Sequence, residues 1–294
     1  MPLRAPQKGL PHFRYRNEEE ELLAARGSVR RWWWEYLRLS KDYWLVSQTY
    51  GRTLDNDLQK TWRRFGDVHN TTFDQWWLKT GSRLFGEQIA PPRVVLINSD
   101  LSNMKTPHES RMLIEVPLVL RKGTVQRQIS KLLANADFER PRNVLQTSTS
   151  EYPIHAVAFR LGILQKMHVV WCTHRELILK PKLAFDDMNA NEKRRFDLFQ
   201  LGKKLGLSPS NALPVKNDHA ETQRRQNRMR ATVSRYIRRA NQLIYQVEYG
   251  RFPRFVSPPE NRPPRFTDNQ RKAHIELERQ WWAMDLRANF LASN

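Results

Sequence analysis

The stretch that most constrains this chain is 221–252, ETQRRQNRMRATVSRYIRRANQLIYQVEYGRF, where a long helical period coincides with the densest positive charge. Met229, Val233, Tyr236, Ile237, Ala240, Leu243, Ile244 and Val247 recur three or four residues apart. At about 3.6 residues per turn, that spacing gathers them on one face, which must be buried against a core. The remaining surface carries Arg224, Arg225, Arg228, Arg230, Arg235, Arg238 and Arg239, and no acidic residue lies between Glu221 and Glu248. A helix docked by one side then offers a comb of guanidinium groups on the other. Their forked donors match phosphate oxygens and the N7 and O6 edge of guanine. DNA is the expected partner and RNA the alternative, while a basic face that is merely solvated is the competing reading.

The totals agree with a polyanion partner. Fifty Lys and Arg stand against thirty Asp and Glu, a net charge of +20, which favours salt-dependent binding to nucleic acid. A hydrophobic share of 39% argues against global disorder, and 294 residues suffice for two subdomains with cores of their own. The single cysteine, Cys172, excludes an internal disulfide and a Cys-based zinc site. No apolar run reaches the ~20 residues a membrane helix needs, and the start lacks the apolar segment of a secretory signal. A cytoplasmic protein is expected, nucleoid-associated if it binds DNA. By compositional analogy, the arginine-rich usage suits a bacterial mobile-element or phage gene.

The expected fold is mainly α with a small α+β portion: an N-terminal Trp-rich helical bundle, a short sheet in the middle, and a long Arg-rich amphipathic helix near the C-terminus. Residues 1–17 read as a basic flexible arm, rich in Pro and Arg. Residues 18–90 form the Trp-rich subdomain. In it, RRWWWEYLRLSKDYWLV predicts one helix with Trp33, Tyr36, Leu37 and Trp44 on its core face. Thr53 is the expected cap of a helix bearing Leu54, Leu58, Trp62 and Phe65 and stopped by Gly66. Thr72 and Gln75 have capping-box spacing ahead of Phe73, Trp76, Trp77 and Leu84. The tryptophans are core residues on this reading. Alternatives are stacking on unpaired bases or a surface for a protein partner.

Residues 91–183 form a mixed α/β subdomain. Strands are expected at 94–97 and over 112–120, where apolar residues alternate. Thr124 reads as the N-cap of a helix bearing Val125, Ile129, Leu132 and Leu133, and Pro153 as the first residue of a helix bearing Ile154, Val157, Leu161 and Leu164. The stretch 168–179 fits strand or helix. Residues 184–252 are a basic helical subdomain in which QLGKKLGLS, 200–208, resembles the first helix and turn of a helix-turn-helix. Leu201 and Leu205 would face the core, Gly202 would fill a helix crossing and Gly206 the turn. Pro214 cuts the second helix short. Residues 253–266 read as a Pro-rich linker and 267–294 as a C-terminal docking helix with Leu277, Trp281 and Met284 on one side.

The expected nucleic-acid-binding residues are Arg224, Arg225, Arg228, Arg235, Arg238, Arg239, Lys203 and Lys204, helped by the segments 4–16 and 251–265. No catalytic residue, metal or cofactor is expected, and the function that follows is that of a non-enzymatic regulator or accessory subunit of a nucleoprotein complex. Asp100 and Glu115 have the separation of a nuclease acidic pair, the basis of an alternative metal-dependent phosphoryl-transfer reading, but Pro117 stands where a catalytic lysine belongs. A third alternative is an RNA-binding assembly protein. His168, Cys172 and His174 match no zinc spacing and read as buried side chains.

Overall fold

The computed structural model describes residues 17–86, 116, 119–135, 150–154, 160–181 and 197–286, and among these it is all α. The first helices are set by side-chain caps. Helix α1 (Glu18–Arg26) starts under Asn17, with glutamates filling the first turn and Arg26 in the last, as the helix dipole favours. Ser28 caps α2 (Val29–Arg38) and Ser40 caps α3 (Lys41–Gln48). The single helix expected here is thus two, because the Ser40 hydroxyl accepts from Tyr43 N at 2.9 Å and competes with the helical backbone. The cap of α4 (Asn56–Phe65) is Asp55 rather than Thr53, and Leu54 is exposed. Thr53 Oγ1 instead donates to Arg265 O at 2.8 Å, tying the turn to the C-terminal region. Gly66 closes α4 at φ +70° as expected.

The Thr72 and Gln75 capping box is formed at the start of α5 (Phe73–Trp76), which runs through a π-helical turn (Trp77–Gly81) into α6 (Ser82–Leu84). Helix α7 (Lys122–Asn135) begins at Lys122, so Thr124 lies within its first turn and is not the N-cap. Pro153 does not start a helix: Ile154 makes an isolated parallel bridge with Phe252, and α8 (Leu161–His174) begins later. The ambiguous 168–179 stretch is helical, α8 continuing through a π turn (Arg175–Leu179). The expected strand at 94–97 and most of that at 112–120 lie outside the described residues, and Val116, Val119 and Leu120 are not in a strand. Five helices complete the described chain: α9 (Leu198–Lys204), α10 (Pro209–Ala212), α11 (His219–Glu248), α12 (Asp268–Ala273) and α13 (Ile275–Ala283).

The core is aromatic. Trp33 is fully buried, with ring centroids of Phe85, Phe65, Phe252 and Tyr152 at 5.1, 5.7, 5.8 and 5.9 Å. Trp32, Trp34, Trp44, Trp76 and Trp77 are buried as well, so the reading in which these rings stack on bases gives way to the core reading. Each buried indole removes about 150 to 250 Å² from water, worth about 4 to 6 kcal/mol at ~25 cal/mol/Å². Every residue of α2 is buried, including Arg30, Arg31, Glu35 and Arg38. The carboxylate of Glu35 lies 3.6 Å from Arg31 Nη2 and 3.9 Å from Arg38 Nη1, while Arg38 lies over the Trp34 ring at 4.5 Å. Charge enters this core in a paired group, as burial requires.

Helix α11 is the spine on which α8, α9, α10, α2 and α4 pack. After it the chain returns through a Pro-rich segment that carries Arg265 inward to a side-chain exposure of 5%. Helix α13 packs on α3, where Trp44 Nε1 donates to Leu277 O at 3.3 Å and Lys41 pairs with Glu278 at 3.0 Å, and it is also held from the end of α8. Arg175, fully buried, lies 4.3 Å from the Trp281 ring and 5.0 Å from the Trp282 ring, and donates to the carbonyls of Trp281 and Met284. No helix of the described residues is long and apolar enough to cross a membrane.

Candidate nucleic-acid interface

The expected Arg-rich helix is α11, thirty residues long. Its sequence from His219 to Glu248 holds neither Gly nor Pro. Asp218 caps it, accepting from Glu221 N at 2.8 Å, and Gly250 at φ +66° follows its end. Met229, Val233, Ala240, Leu243 and Val247 are fully buried, which fixes the helix by the face the periodicity assigned. The closest approach is at α9: a Cβ on Gly202 would lie 2.5 Å from Met229 Sδ and 2.9 Å from Val233 Cγ2. Gly202 is thus the small residue at a crossing, and its partner is α11.

With 100° per residue, Arg224, Arg228, Arg235, Arg238 and Arg239 fall within an arc of about 100°, on the side opposite Met229, Val233 and Ala240. All five are exposed. Fifteen residues of rise stretch the stripe to about 22 Å, two-thirds of the ~34 Å turn of B-DNA.

The stripe has two electrostatic halves. At the N-terminal end Glu221 answers three arginines, at 3.9 Å from Arg224, 3.5 Å from Arg225 and 3.2 Å from Arg228. Arg225 also donates to Ser210 O at 3.2 Å, so its guanidinium ties α11 to α10. Arg230, on another face, pairs with Asp197 at 2.8 Å. Among the described residues no carboxylate lies within ion-pairing distance of Arg235, Arg238 or Arg239. Arg239 lies 5.4 Å from the Phe255 ring. The strongest uncompensated charge is therefore at the middle of α11.

Lys203 and Lys204 are exposed in the last turn of α9, directly after the Gly202 crossing, where cations suit the helix dipole. The turn that follows uses Gly206 at φ +60°, and α10 spans only the four residues before Leu213 and Pro214. A single turn of helix presents little surface to a groove, so α11 is the only long basic helix in this region of the described chain.

Two residues of the segment 251–265 that were expected to assist binding turn inward instead. Arg265 pairs with Glu248, Asp42 and Asp55 at 2.6, 2.8 and 3.1 Å, and Arg262 approaches the same three carboxylates at 3.7 to 4.0 Å while lying 5.1 Å from the Tyr245 ring. Ser40 Oγ donates to Glu248 and Tyr249 Oη to Asp55. Burial pushes the Glu248 carboxyl up to about 7 against the pull of Arg265. A lone acid closing an apolar helix face was the sequence signal for this cluster, and it was missed. Arg251 and Arg254 stay exposed.

His168 and Cys172 are buried, with Sγ 3.8 Å from Nδ1. Burial lowers His168 to about 3, so it stays neutral in the fold. Among the described residues no group of His, Cys, Asp or Glu is placed to hold a metal ion. Asp100 and Glu115, and the basic segment 4–16, lie outside the described residues. No family model, curated protein or solved structure matches the chain.

Proposed function

We propose that this chain binds nucleic acid, DNA first, through the exposed face of α11, and acts as a non-enzymatic regulator or accessory subunit of a nucleoprotein complex. The observation that carries the reading is the stripe Arg224, Arg228, Arg235, Arg238 and Arg239 on a helix whose opposite face is locked in the core. A helix fixed in this way holds its guanidinium groups in register before binding, so less orientation entropy is lost on meeting phosphates. Among the described residues Arg235, Arg238 and Arg239 have no internal ion pair to give up, and the +20 charge adds long-range attraction. The test is fluorescence anisotropy with labelled duplex DNA, single-stranded DNA and RNA over a salt series, for wild type and the Arg235→Ala/Arg239→Ala variant. The expected result is weaker binding and a salt slope smaller by about one for each phosphate no longer neutralised. Unchanged affinity in a folded variant would remove α11 from the interface.

A further inference from the structure

The basic stripe does not end at Arg239. Arg235, Arg239, Gln242 and Gln246 follow at helical spacing on one face of α11, and the last two hold a segment of chain. Gln242 Nε2 donates to Ser257 Oγ at 2.9 Å, and Gln246 Nε2 donates to Val256 O at 3.1 Å. Upstream, Phe252 is fully buried, with Trp33 and Tyr36 rings at 5.8 and 5.5 Å. The segment is therefore pinned at both ends, and between Phe252 and the Val256 carbonyl the Phe255 side chain is 38% exposed beside the exposed Arg254. The Arg239 guanidinium lies 5.4 Å from the Phe255 ring centroid. An exposed aromatic ring, tethered against α11 and edged by arginines that meet no carboxylate among the described residues, combines the two parts of a single-strand site: cations that track the phosphates and a π surface for a base.

The geometry points to Phe255 as a stacking station for an unpaired nucleobase, with Arg235, Arg239 and Arg254 engaging the flanking phosphates. This inference rests on the reading of α11 as a nucleic-acid interface, and it narrows the ligand to strands with unstacked bases. Paired bases keep their faces inside the duplex, so only an unpaired base gains from the ring, whereas the arginine stripe serves both. Deoxyribose and ribose strands share the chemistry that the ring recognises.

The test compares the full chain with Phe255→Ala, Phe255→Leu and Phe255→Trp for binding to oligo(dT), oligo(rU) and a duplex of equal length at fixed salt. The expected result is that Phe255→Ala and Phe255→Leu weaken binding to one or both single strands by about 5- to 150-fold, the range of one base stack removed. Phe255→Trp retains single-strand affinity, and duplex binding is unchanged throughout. Equal loss on single strand and duplex, or retention by Phe255→Leu, would overturn the stacking station, since apolar bulk alone would then suffice. If Arg235→Ala/Arg239→Ala weakens binding while Phe255→Ala does not, the stacking station fails and the α11 interface stands. If wild type binds none of the three, both fail together.

Discussion

Arg265 Nη2 lies 2.6 Å from Glu248 Oε2, a buried pair that also meets the half-buried Asp42 and Asp55. One guanidinium thereby joins α3, the cap of α4 and the end of α11. Removing it leaves the buried Glu248 carboxylate facing Ser40 and the looser Arg262, so Arg265→Met should cost about 3 kcal/mol in urea denaturation. Arg265→Lys should recover only part, because an ammonium lacks the fork that meets several carboxylates at once. A wild-type midpoint for Arg265→Met would mean that this group does not hold the three elements together.

The pH dependence of stability has opposed components. Burial raises the Glu35 and Glu248 carboxyls from 4.5 to about 7. Between those values the folded chain keeps protons that the unfolded chain has lost, so stability falls as pH rises. Burial lowers His168 and His69 from 6.5 to about 3 and about 4. From about 4 to 6.5 the unfolded chain binds protons that the folded one refuses, so stability rises with pH. Wild type should be nearly flat from about pH 4.5 to 6.5 and lose stability below that window. Glu248→Gln should tilt the window upward with pH, and a wild-type profile in that variant would show that Glu248 titrates normally in the fold.

Gly202 sets the distance between α9 and α11. Its missing Cβ would lie 2.5 Å from Met229 Sδ and 2.9 Å from Val233 Cγ2, and a β-branched valine in a helix is held to one preferred rotamer. Gly202→Ala should destabilise by about 1 to 3 kcal/mol through overpacking. Adding Met229→Ala opens space for the new methyl, so the double variant should lose less than the sum of the two single changes. Strict additivity would place the strain elsewhere.

How much of this was legible in the sequence follows from the range of each interaction. The Thr72 and Gln75 box, the Gly66 stop and the face of α11 are set within a few residues, and all three were readable. Ser40 was missed because an apolar period runs across it, while its hydroxyl breaks the helix locally. Arg265 falls in the stretch that reads as a Pro-rich linker because its partner Asp42 is 223 positions away in sequence. Sequence spacing cannot tell an exposed arginine from one buried by distant acids. The same limit divides the candidate site. The arginines of α11 could be named from the period, but that Arg225 and Arg230 are committed to Ser210 and Asp197 needed the packing of α9 and α10.

Arg175 should act as the peg for α13. Its guanidinium lies against Trp281 and Trp282 and bonds two carbonyls near the end of that helix. Arg175→Leu keeps apolar bulk but strands those carbonyls, at about 1 to 3 kcal/mol for a buried group left unsatisfied. Limited proteolysis should then cut first near 275–283, with a red-shifted tryptophan emission. Protection equal to wild type would show that the contacts with α3, Trp44 Nε1 on Leu277 O and Lys41 on Glu278, hold the helix without Arg175.

The division of labour among the arginines gives the sharpest comparison. Arg225 and Arg230 form internal pairs, with Glu221 and Ser210 and with Asp197, whereas Arg235 and Arg238 meet no carboxylate among the described residues. If phosphates take up the uncompensated charges, Arg235→Ala/Arg238→Ala should lower the salt slope by about two, one for each phosphate set free, and leave the urea midpoint unchanged. Surface cations without partners contribute little to folding. Arg225→Ala/Arg230→Ala should do the reverse, lowering the unfolding free energy by about 1 kcal/mol and with it the urea midpoint, since half-exposed ion pairs contribute only modestly, while altering the slope little. Equal slope changes in the two variants would mean that binding senses net charge alone, and the positions held in register by α11 would then have no part in recognition.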